Sequence, residues 1–161
     1  CGYSEQIEGT AISNPEEANF VIQYLKSKES QWFSSAVSID LLPSIGLISP
    51  YRAQVDILKG LLDDQSWETS ILKSIKVHTI DGFQGQERDI IVISLVRSNT
   101  EGVIGFLHDY RRLNVAMTRA RKKLVVIGDS ATLSNIDFYS KWIEHITTVG
   151  KYSSAWEYLY T

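Results

Sequence analysis

The sequence predicts a doubly wound α/β domain with a mainly parallel sheet, on three observations. Short runs rich in β-branched residues recur along the chain, and amphipathic helical patterns separate them. Strands that alternate with helices favour a parallel sheet. A length of 161 residues with 43% hydrophobic content is enough for one domain with its own core, whereas two enzymatic domains would be crowded. We therefore expect residues 1–161 to form a single domain.

The first helix is predicted over residues 13–30. Asn14 can cap its amino end, Pro15 suits the first helical position, and two glutamates follow where the helix dipole favours negative charge. Apolar residues then recur at helical spacing, so one face can be buried while the other stays polar.

The first strand and the second helix come after a loop that contains a proline. Residues 45–49, IGLIS, form a short apolar run typical of a strand. Residues 49–62 carry valine and leucine at helical spacing, with Ser49 as a possible cap and Pro50 in the first turn. This is the pattern of a strand followed by a helix.

The remaining strands are predicted at residues 75–80, 89–96 and 123–128. The last two are continuous apolar runs, as in parallel strands that are covered on both faces. A further helix is predicted at residues 136–146, and its apolar stripe consists of Phe138, Trp142 and Ile146. In open parallel sheets, ligands bind at the carboxyl ends of the strands. The loops of interest are therefore those that follow Ile48, Thr79, Val96 and Gly128.

Charge and composition exclude some classes of protein. A formal net charge of −3 argues against binding nucleic acid by bulk charge, although it leaves a local basic groove possible. One cysteine permits no internal disulfide, and no apolar stretch suits a secretory leader or a membrane span. We expect a cytoplasmic protein without membrane association. Because the chain begins with cysteine rather than methionine, we also expect it to be a piece of a longer polypeptide.

Three arginines stand near a helix predicted at residues 110–121. Arg112 and Arg119 are seven positions apart, nearly two turns, so we expect them on one shoulder of the helix and Arg121 on the opposite shoulder. Taken alone, such arginines extend into solvent or pair with acids.

A glycine-containing turn separates two strands within residues 77–99, VHTIDGFQGQERDIIVISLVRSN. Gly85 lets main-chain N–H groups approach a ligand closely, as phosphate-binding turns require. Taken alone, the turn is equally consistent with an ordinary connection between strands. The segments on either side of it carry more information.

Three segments in order resemble motifs IV, V and VI of superfamily 1 helicases. They are residues 46–55, GLISPYRAQV; residues 77–99; and residues 111–129, RRLNVAMTRARKKLVVIGD. Together they resemble the second RecA-like lobe, in the branch that includes the RNA helicase of nonsense-mediated mRNA decay. The resemblance implies a three-layer α/β/α RecA-like domain of the P-loop NTPase kind.

The resemblance also implies roles at a nucleotide. Arg119 matches the arginine finger that reaches the γ-phosphate from across a cleft, where a rigid fork of charged donors suits a phosphoryl-transfer transition state. Glu87 matches the acid that hydrogen-bonds the ribose hydroxyls. Gln84 and Gly85 match the turn beside the γ-phosphate. Arg121 is expected to have a structural role instead.

Three further residues match positions near the nucleic-acid track, where hydroxyls and main-chain N–H groups can hold phosphates without reading bases: Ser49, Tyr51 and Thr79. Three more leave the carboxyl end of a predicted strand and could hold phosphates in the same way: Arg97, Ser98 and Asn99. Ordinary loop chemistry accounts for these six residues equally well. The three histidines have spacings that suggest no metal site.

The sequence contains neither Gly-x-x-x-x-Gly-Lys-Ser/Thr nor an Asp-Glu pair after a strand, so it lacks the parts that cradle a triphosphate and hold magnesium. We expect the fragment alone to be inactive. ATP and Mg²⁺ would be bound mainly by a first RecA-like lobe upstream in the same chain. The whole protein would then be an ATP-dependent helicase that moves along single-stranded DNA or RNA, 5′ to 3′ by family analogy.

Three alternative functions make different predictions. A degenerate, non-hydrolysing nucleic-acid-binding module would keep the fold without an intact Walker lysine upstream. A helicase-like assembly scaffold would bind a strand no better with nucleotide than without it. A dinucleotide enzyme would require Gly-x-Gly-x-x-Gly after the first strand, where the sequence reads ISPYRAQ.

Overall fold

A four-stranded parallel sheet lies between two sets of helices. The computed structural model describes residues 3–33, 41–83 and 85–159. A short antiparallel hairpin, β1 (Gln6–Glu8) and β2 (Ala11–Ser13), comes first. The sheet strands are β3 (Ile45–Ser49), β4 (Ile75–Thr79), β5 (Arg88–Ser94) and β6 (Ala120–Ile127). They lie in the order β4-β3-β5-β6, and every neighbouring pair is parallel.

Helices connect the strands and follow the last one. They are α1 (Pro15–Ser27), α2 (Glu29–Phe33), α3 (Arg52–Asp63), α4 (Thr69–Ser74), α5 (Tyr110–Met117), α6 (Ser130–Leu133), α7 (Asp137–Val149) and α8 (Trp156–Leu159). Two short 3-10 helices span Asp81–Phe83 and Gly105–His108. None of the helices in the described ranges is long and apolar enough to cross a membrane.

Alternation along the strands divides the apolar residues into two cores. Leu47 and Val92 face the core that contains α1 and α3. Ile48 and Ile91, each one position away, face the core that contains α5 and α7. Successive strand residues point to opposite faces of a sheet, so both faces are covered. The predicted three-layer α/β/α architecture with a parallel sheet is confirmed.

The amino-terminal helix begins as predicted, whereas the second helix does not. Asn14 accepts a hydrogen bond from the N–H of Glu17 at 2.9 Å, which makes it the cap of α1. Ser49 is not the cap of α3, because it is the last, fully buried residue of β3 and pairs with Thr79. Tyr51 occupies the cap position of α3 and provides no side-chain cap.

The helix expected over residues 110–121 ends earlier, at Met117. Its continuation is prevented by pairing in the sheet, because β6 starts at Ala120 and the Arg119 carbonyl accepts the N–H of Arg88 at 3.1 Å. Arg119 therefore lies in the turn between α5 and β6. The prediction that Arg112 and Arg119 share a helical shoulder is wrong.

Two burial predictions also need correction. β5 is buried over its last five residues, as expected, but β6 is an edge strand, and Leu124 is 39% exposed. On α7 the buried residue is Tyr139, whose hydroxyl donates to the Leu107 carbonyl at 2.6 Å, whereas Phe138 is 37% exposed. Trp142 packs on the same core as Tyr139. The buried stripe of α7 therefore starts at Tyr139 rather than at Phe138.

Candidate functional site

The predicted site residues lie at two opposite edges of the sheet. Glu87 and Arg119 immediately precede β5 and β6, at the amino ends of these strands. Tyr51 and Arg97 follow the carboxyl ends of β3 and β5. Gly85 and Glu87 lie in the segment that follows β4, which is one of the expected loops, whereas Arg119 lies in the turn between α5 and β6. The expectation that the loops of interest follow the carboxyl ends of strands is therefore wrong for Arg119, because the chain reaches this residue from a helix.

Main-chain hydrogen bonds fix the turn that carries Arg119. Its N–H donates to the Ala116 carbonyl at 3.2 Å, and its carbonyl accepts from Arg88 at 3.1 Å. Its side-chain Nε donates to the Val115 carbonyl at 3.3 Å. No described carboxylate forms an ion pair with Arg119. The position of the guanidinium is thus set by the turn, and its charge is not neutralised within the part of the chain that the structure describes.

Glu87 precedes Arg88, whose N–H binds the Arg119 carbonyl, and its side chain pairs with Arg121. Arg121 Nε donates to Glu87 Oε2 at 3.4 Å, and both side chains are more than half exposed. Arg121, for which a structural role was expected, therefore pairs with the candidate ribose-binding residue. An exposed pair of this kind is weak, so Glu87 can exchange this partner at little cost.

The turn before β5 requires glycine. Gly85 has a φ of +78°, a conformation that side chains rarely adopt, and the space beside it is open. Gln84 lies outside the described residues. Nearby, Arg112 Nε donates to Asp81 Oδ1 at 3.0 Å, and a second bond from the same guanidinium completes the ion pair. This pair ties α5 to the 3-10 helix that leads into the turn.

At the carboxyl ends of the strands, which we call the carboxyl edge, the side-chain hydroxyl groups form hydrogen bonds within the protein. Ser49 is fully buried, and its Oγ accepts the N–H of Tyr51 at 3.3 Å. Tyr51 is 4% exposed, and its hydroxyl donates to the Ile104 carbonyl at 3.4 Å. Thr79 Oγ1 accepts the N–H of Gly82 at 3.2 Å and stays partly exposed. Of these three, Thr79 has the side chain that solvent reaches.

One carboxylate organises the three residues after β5. Glu5 Oε2 accepts from Arg97 Nε at 2.9 Å, from the Ser98 N–H at 2.8 Å and from Asn99 Nδ2 at 3.2 Å. The Arg97 and Glu5 side chains are only 5% and 6% exposed. Ser98 Oγ also donates to Asp129 at 2.9 Å. Arg97 and Ser98 are therefore directed into the protein, whereas Asn99 stays partly exposed.

Comparison with known proteins identifies the family. The model of the AAA_12 family, described as an AAA domain, matches residues 2–131. The chain belongs to the AAA_12 family. Domains of this family form the C-terminal region of superfamily 1 helicases, so the predicted family is confirmed.

Relatives of this AAA_12 domain include much longer proteins. DNA polymerase alpha-associated DNA helicase A of Saccharomyces cerevisiae is 46% identical over 121 residues, which cover 72% of this chain and 17% of that protein. DNA-binding protein SMUBP-2 of Mesocricetus auratus is 40% identical over 161 residues, 99% of this chain and 15% of that protein. Regulator of nonsense transcripts 1 of Dictyostelium discoideum is 37% identical over 149 residues, which cover 90% of this chain and 11% of that protein. The chain spans less than a fifth of each of these relatives.

Sequence reasoning missed a second buried carboxylate in this AAA_12 domain. Glu17 Oε1 accepts from Ser94 Oγ at 2.5 Å and from the Val96 N–H at 2.9 Å. Burial raises the pKa of Glu17 to about 7, against the hydrogen bonds from Ser94 and Val96, which lower it. Val96 has a φ of +72°, which is unusual for a β-branched residue, and its carbonyl accepts from Asn14 Nδ2 at 3.2 Å.

Periodicity offered a signal for Glu17 but none for Glu5. Glu17 precedes Val21 by four positions, so it shares the buried stripe of α1. Its place in the first turn is equally consistent with an exposed glutamate that stabilises the helix dipole. Glu5 reaches residues more than 90 positions away, and no local pattern marks such a contact. Both carboxylates hold the segment that follows β5.

Proposed function

We propose that this chain is the C-terminal motor lobe of an ATP-dependent helicase, and that Arg119 is its arginine finger. The supporting observation is the position of Arg119, a cation that forms no ion pair with any described residue and is held in a fixed turn, where its carbonyl binds the N–H of Arg88, the residue after Glu87. A guanidinium held in this way can stabilise charge on a phosphate that another lobe presents.

The residues present at this edge fit part of a nucleotide. Arg119 offers donors suited to phosphate oxygens, and Glu87 offers exposed acceptors suited to ribose hydroxyls. Gln84 and Gly85 would lie beside the γ-phosphate. Among the described residues, no group of three or more His, Cys, Asp or Glu side chains could hold a metal ion. We therefore assign most of the contacts to ATP and Mg²⁺ to a first RecA-like lobe of the same protein.

The carboxyl edge is proposed to face the single strand. Thr79 and Asn99 are partly exposed and are the candidates for direct contact. Ser49, Tyr51, Arg97 and Ser98 are buried, so we propose that they support this surface by holding its main chain. Contacts of this type discriminate weakly between RNA and DNA. Movement from 5′ to 3′ is proposed by analogy with the family.

Steady-state ATP hydrolysis by the full-length protein tests the finger, with and without single-stranded RNA or DNA. Arg119→Ala is expected to lower kcat by ~10³–10⁵ while ATP binding and folding are retained. Arg119→Lys should be only slightly better, because a single ammonium cannot replace the fork. Lys141→Ala, which removes an exposed cation on α7, is the matched control. Equal hydrolysis by Arg119→Ala and wild type would rule out the finger.

The same assay separates the alternatives. Absence of hydrolysis in the wild type, with strand binding retained, would indicate a non-hydrolysing binding module. Strand affinity that does not respond to nucleotide would indicate an assembly role. Unwinding of duplexes with a 5′ or a 3′ single-stranded tail decides the direction.

A further inference from the structure

The loop between β5 and α5 exposes two large apolar side chains at the carboxyl edge. Val103 is 51% exposed and Phe106 is 60% exposed. Exposed apolar residues that stand singly on a surface are ordinary. These two differ because hydrogen-bonded polar groups and glycines with positive φ hold the loop that carries them.

Asn99 fixes the position of Val103 through both groups of its side-chain amide. Its Nδ2 donates to the Val103 carbonyl at 2.8 Å, and its Oδ1 accepts the Val103 N–H at 2.9 Å. The same Nδ2 donates to Glu5 at 3.2 Å, and the Asn99 N–H donates to Thr132 at 3.0 Å. Val103 is thereby connected to the buried polar network.

Gly105 fixes the position of Phe106, the second exposed residue. It has a φ of +52°, and a Cβ added there would lie 2.6 Å from Arg97 Nη1 and 2.8 Å from Tyr51 Oη. The loop therefore lies directly on two buried side chains that sequence analysis assigned to the nucleic-acid track. On top of them, the Phe106 ring lies 5.5 Å from the Tyr51 ring at an interplanar angle of 42°.

The 3-10 helix Gly105–His108 completes the support. The Leu107 N–H donates to the Ile104 carbonyl at 3.1 Å, and both residues are buried. The Asp109 N–H donates to the carbonyl of Phe106 at 3.1 Å. Phe106 is thus held from below and from both sides along the chain, while most of its ring faces solvent. An exposed ring held in this way is pre-organised for a ligand.

We propose that Phe106 is a stacking platform for one base of a single-stranded nucleic acid, with Val103 as an apolar neighbour. This inference rests on the proposed function, since it places the strand at the carboxyl edge. Two side chains are too small a surface for a stable protein interface, which needs about 800 Å² from each partner. A base presents a flat π-face of matching size, and stacking on an aromatic ring tolerates any sequence.

Equilibrium binding of the full-length protein to a fluorescent single strand tests the platform. Phe106→Ala is expected to weaken binding about 5- to 150-fold, the range for loss of one stacked base. Phe106→Trp should bind at least as well as wild type, and Phe106→Leu should lose most of the affinity because it keeps volume without a π-face. Val149→Ala, which truncates another exposed apolar residue, should change nothing.

Strands with a single abasic site, moved one position at a time, provide the decisive comparison. In the wild type, one abasic position should reproduce the loss caused by Phe106→Ala. In Phe106→Ala, that position should have no further effect. Equal binding by wild type and Phe106→Ala would overturn the platform while leaving the helicase proposal standing. Loss in Phe106→Ala but not in Phe106→Leu, with no sensitive abasic position, would show that the patch packs against protein. Failure of the wild type to bind any strand would refute the proposed function itself.

Discussion

Replacing Glu17 with glutamine removes a buried titratable group that binds the main chain after β5, where Val96 has a positive φ. The side chain is 3% exposed, and its Oε1 accepts from Ser94 and Val96. Glutamine has nearly the same shape and keeps an acceptor for both bonds. The substitution therefore isolates the effect of the charge.

The raised pKa of Glu17 determines the direction of the effect. Its pKa is about 7 in the folded protein against an ordinary value of 4.5, because burial disfavours the carboxylate. Between these values the folded state holds a proton that the unfolded state has lost, so the free energy of unfolding falls as pH rises through this window. At 1.36 kcal/mol per pH unit, the loss for wild type is ~3 kcal/mol, complete above about pH 7.

Urea unfolding of wild type and Glu17→Gln from about pH 4.5 to about pH 8 measures this loss. The stability of the variant relative to wild type should rise by ~3 kcal/mol across the range, since all other titrating groups are shared. Glu16→Gln, an exposed neighbour in the same helical turn, should show no such trend. If the difference in free energy of unfolding between Glu17→Gln and wild type is the same at every pH, the raised pKa and the cost assigned to the buried charge are refuted.

Four further predictions concern packing and ion pairs. Gly46→Ala should lower the free energy of unfolding by ~1–3 kcal/mol, because the new methyl group would lie 2.7 Å from an aromatic carbon. Gly60→Ala, inside α3 with open space around it, should raise it by ~0.5–1 kcal/mol in the same urea titrations. Glu5→Ala should destabilise by ~3–5 kcal/mol in thermal or urea unfolding, because it leaves Arg97 buried without its partner. Arg121→Gln should change stability by less than ~1 kcal/mol, since its pair is exposed, and a larger loss would show that the pair is structural.

Local patterns were sufficient where an element forms from its own residues. The runs that became β3 and β5 contain continuous apolar residues, β4 alternates apolar with polar residues, and α1 carries its cap, its proline and its apolar stripe in sequence. Local patterns fail where pairing between residues far apart in the sequence determines the structure. Helical spacing continues through Arg119, but pairing between β5 and β6 begins there and ends the helix. The edge position of β6 depends on strand order, which no local pattern specifies.

The candidate site divides in the same way. Motif matches indicated Arg119 and Glu87 as candidates, and the turn that holds Arg119 is formed in part by the nearby residues Val115 and Ala116. They could not show that Arg97 is buried, because its partner Glu5 lies at the other end of the chain. Nor could they distinguish the buried Tyr51 from the exposed Phe106 that lies against it. Burial is a property of the assembled edge, and a residue type alone does not reveal it.

Under the proposed function, β5 links the two ligands mechanically. Glu87 and Arg88 stand at its start and Arg97 follows its end, so the nucleotide and strand sites are separated by seven strand residues, about 23 Å at ~3.3 Å per residue. The last five of these residues are buried, and both neighbouring strands pair with them in register. A strand enclosed in this way has no second arrangement available at low cost. Coupling between ATP and the nucleic acid is therefore expected to act through movement of the whole lobe against its partner rather than through a change of shape within it.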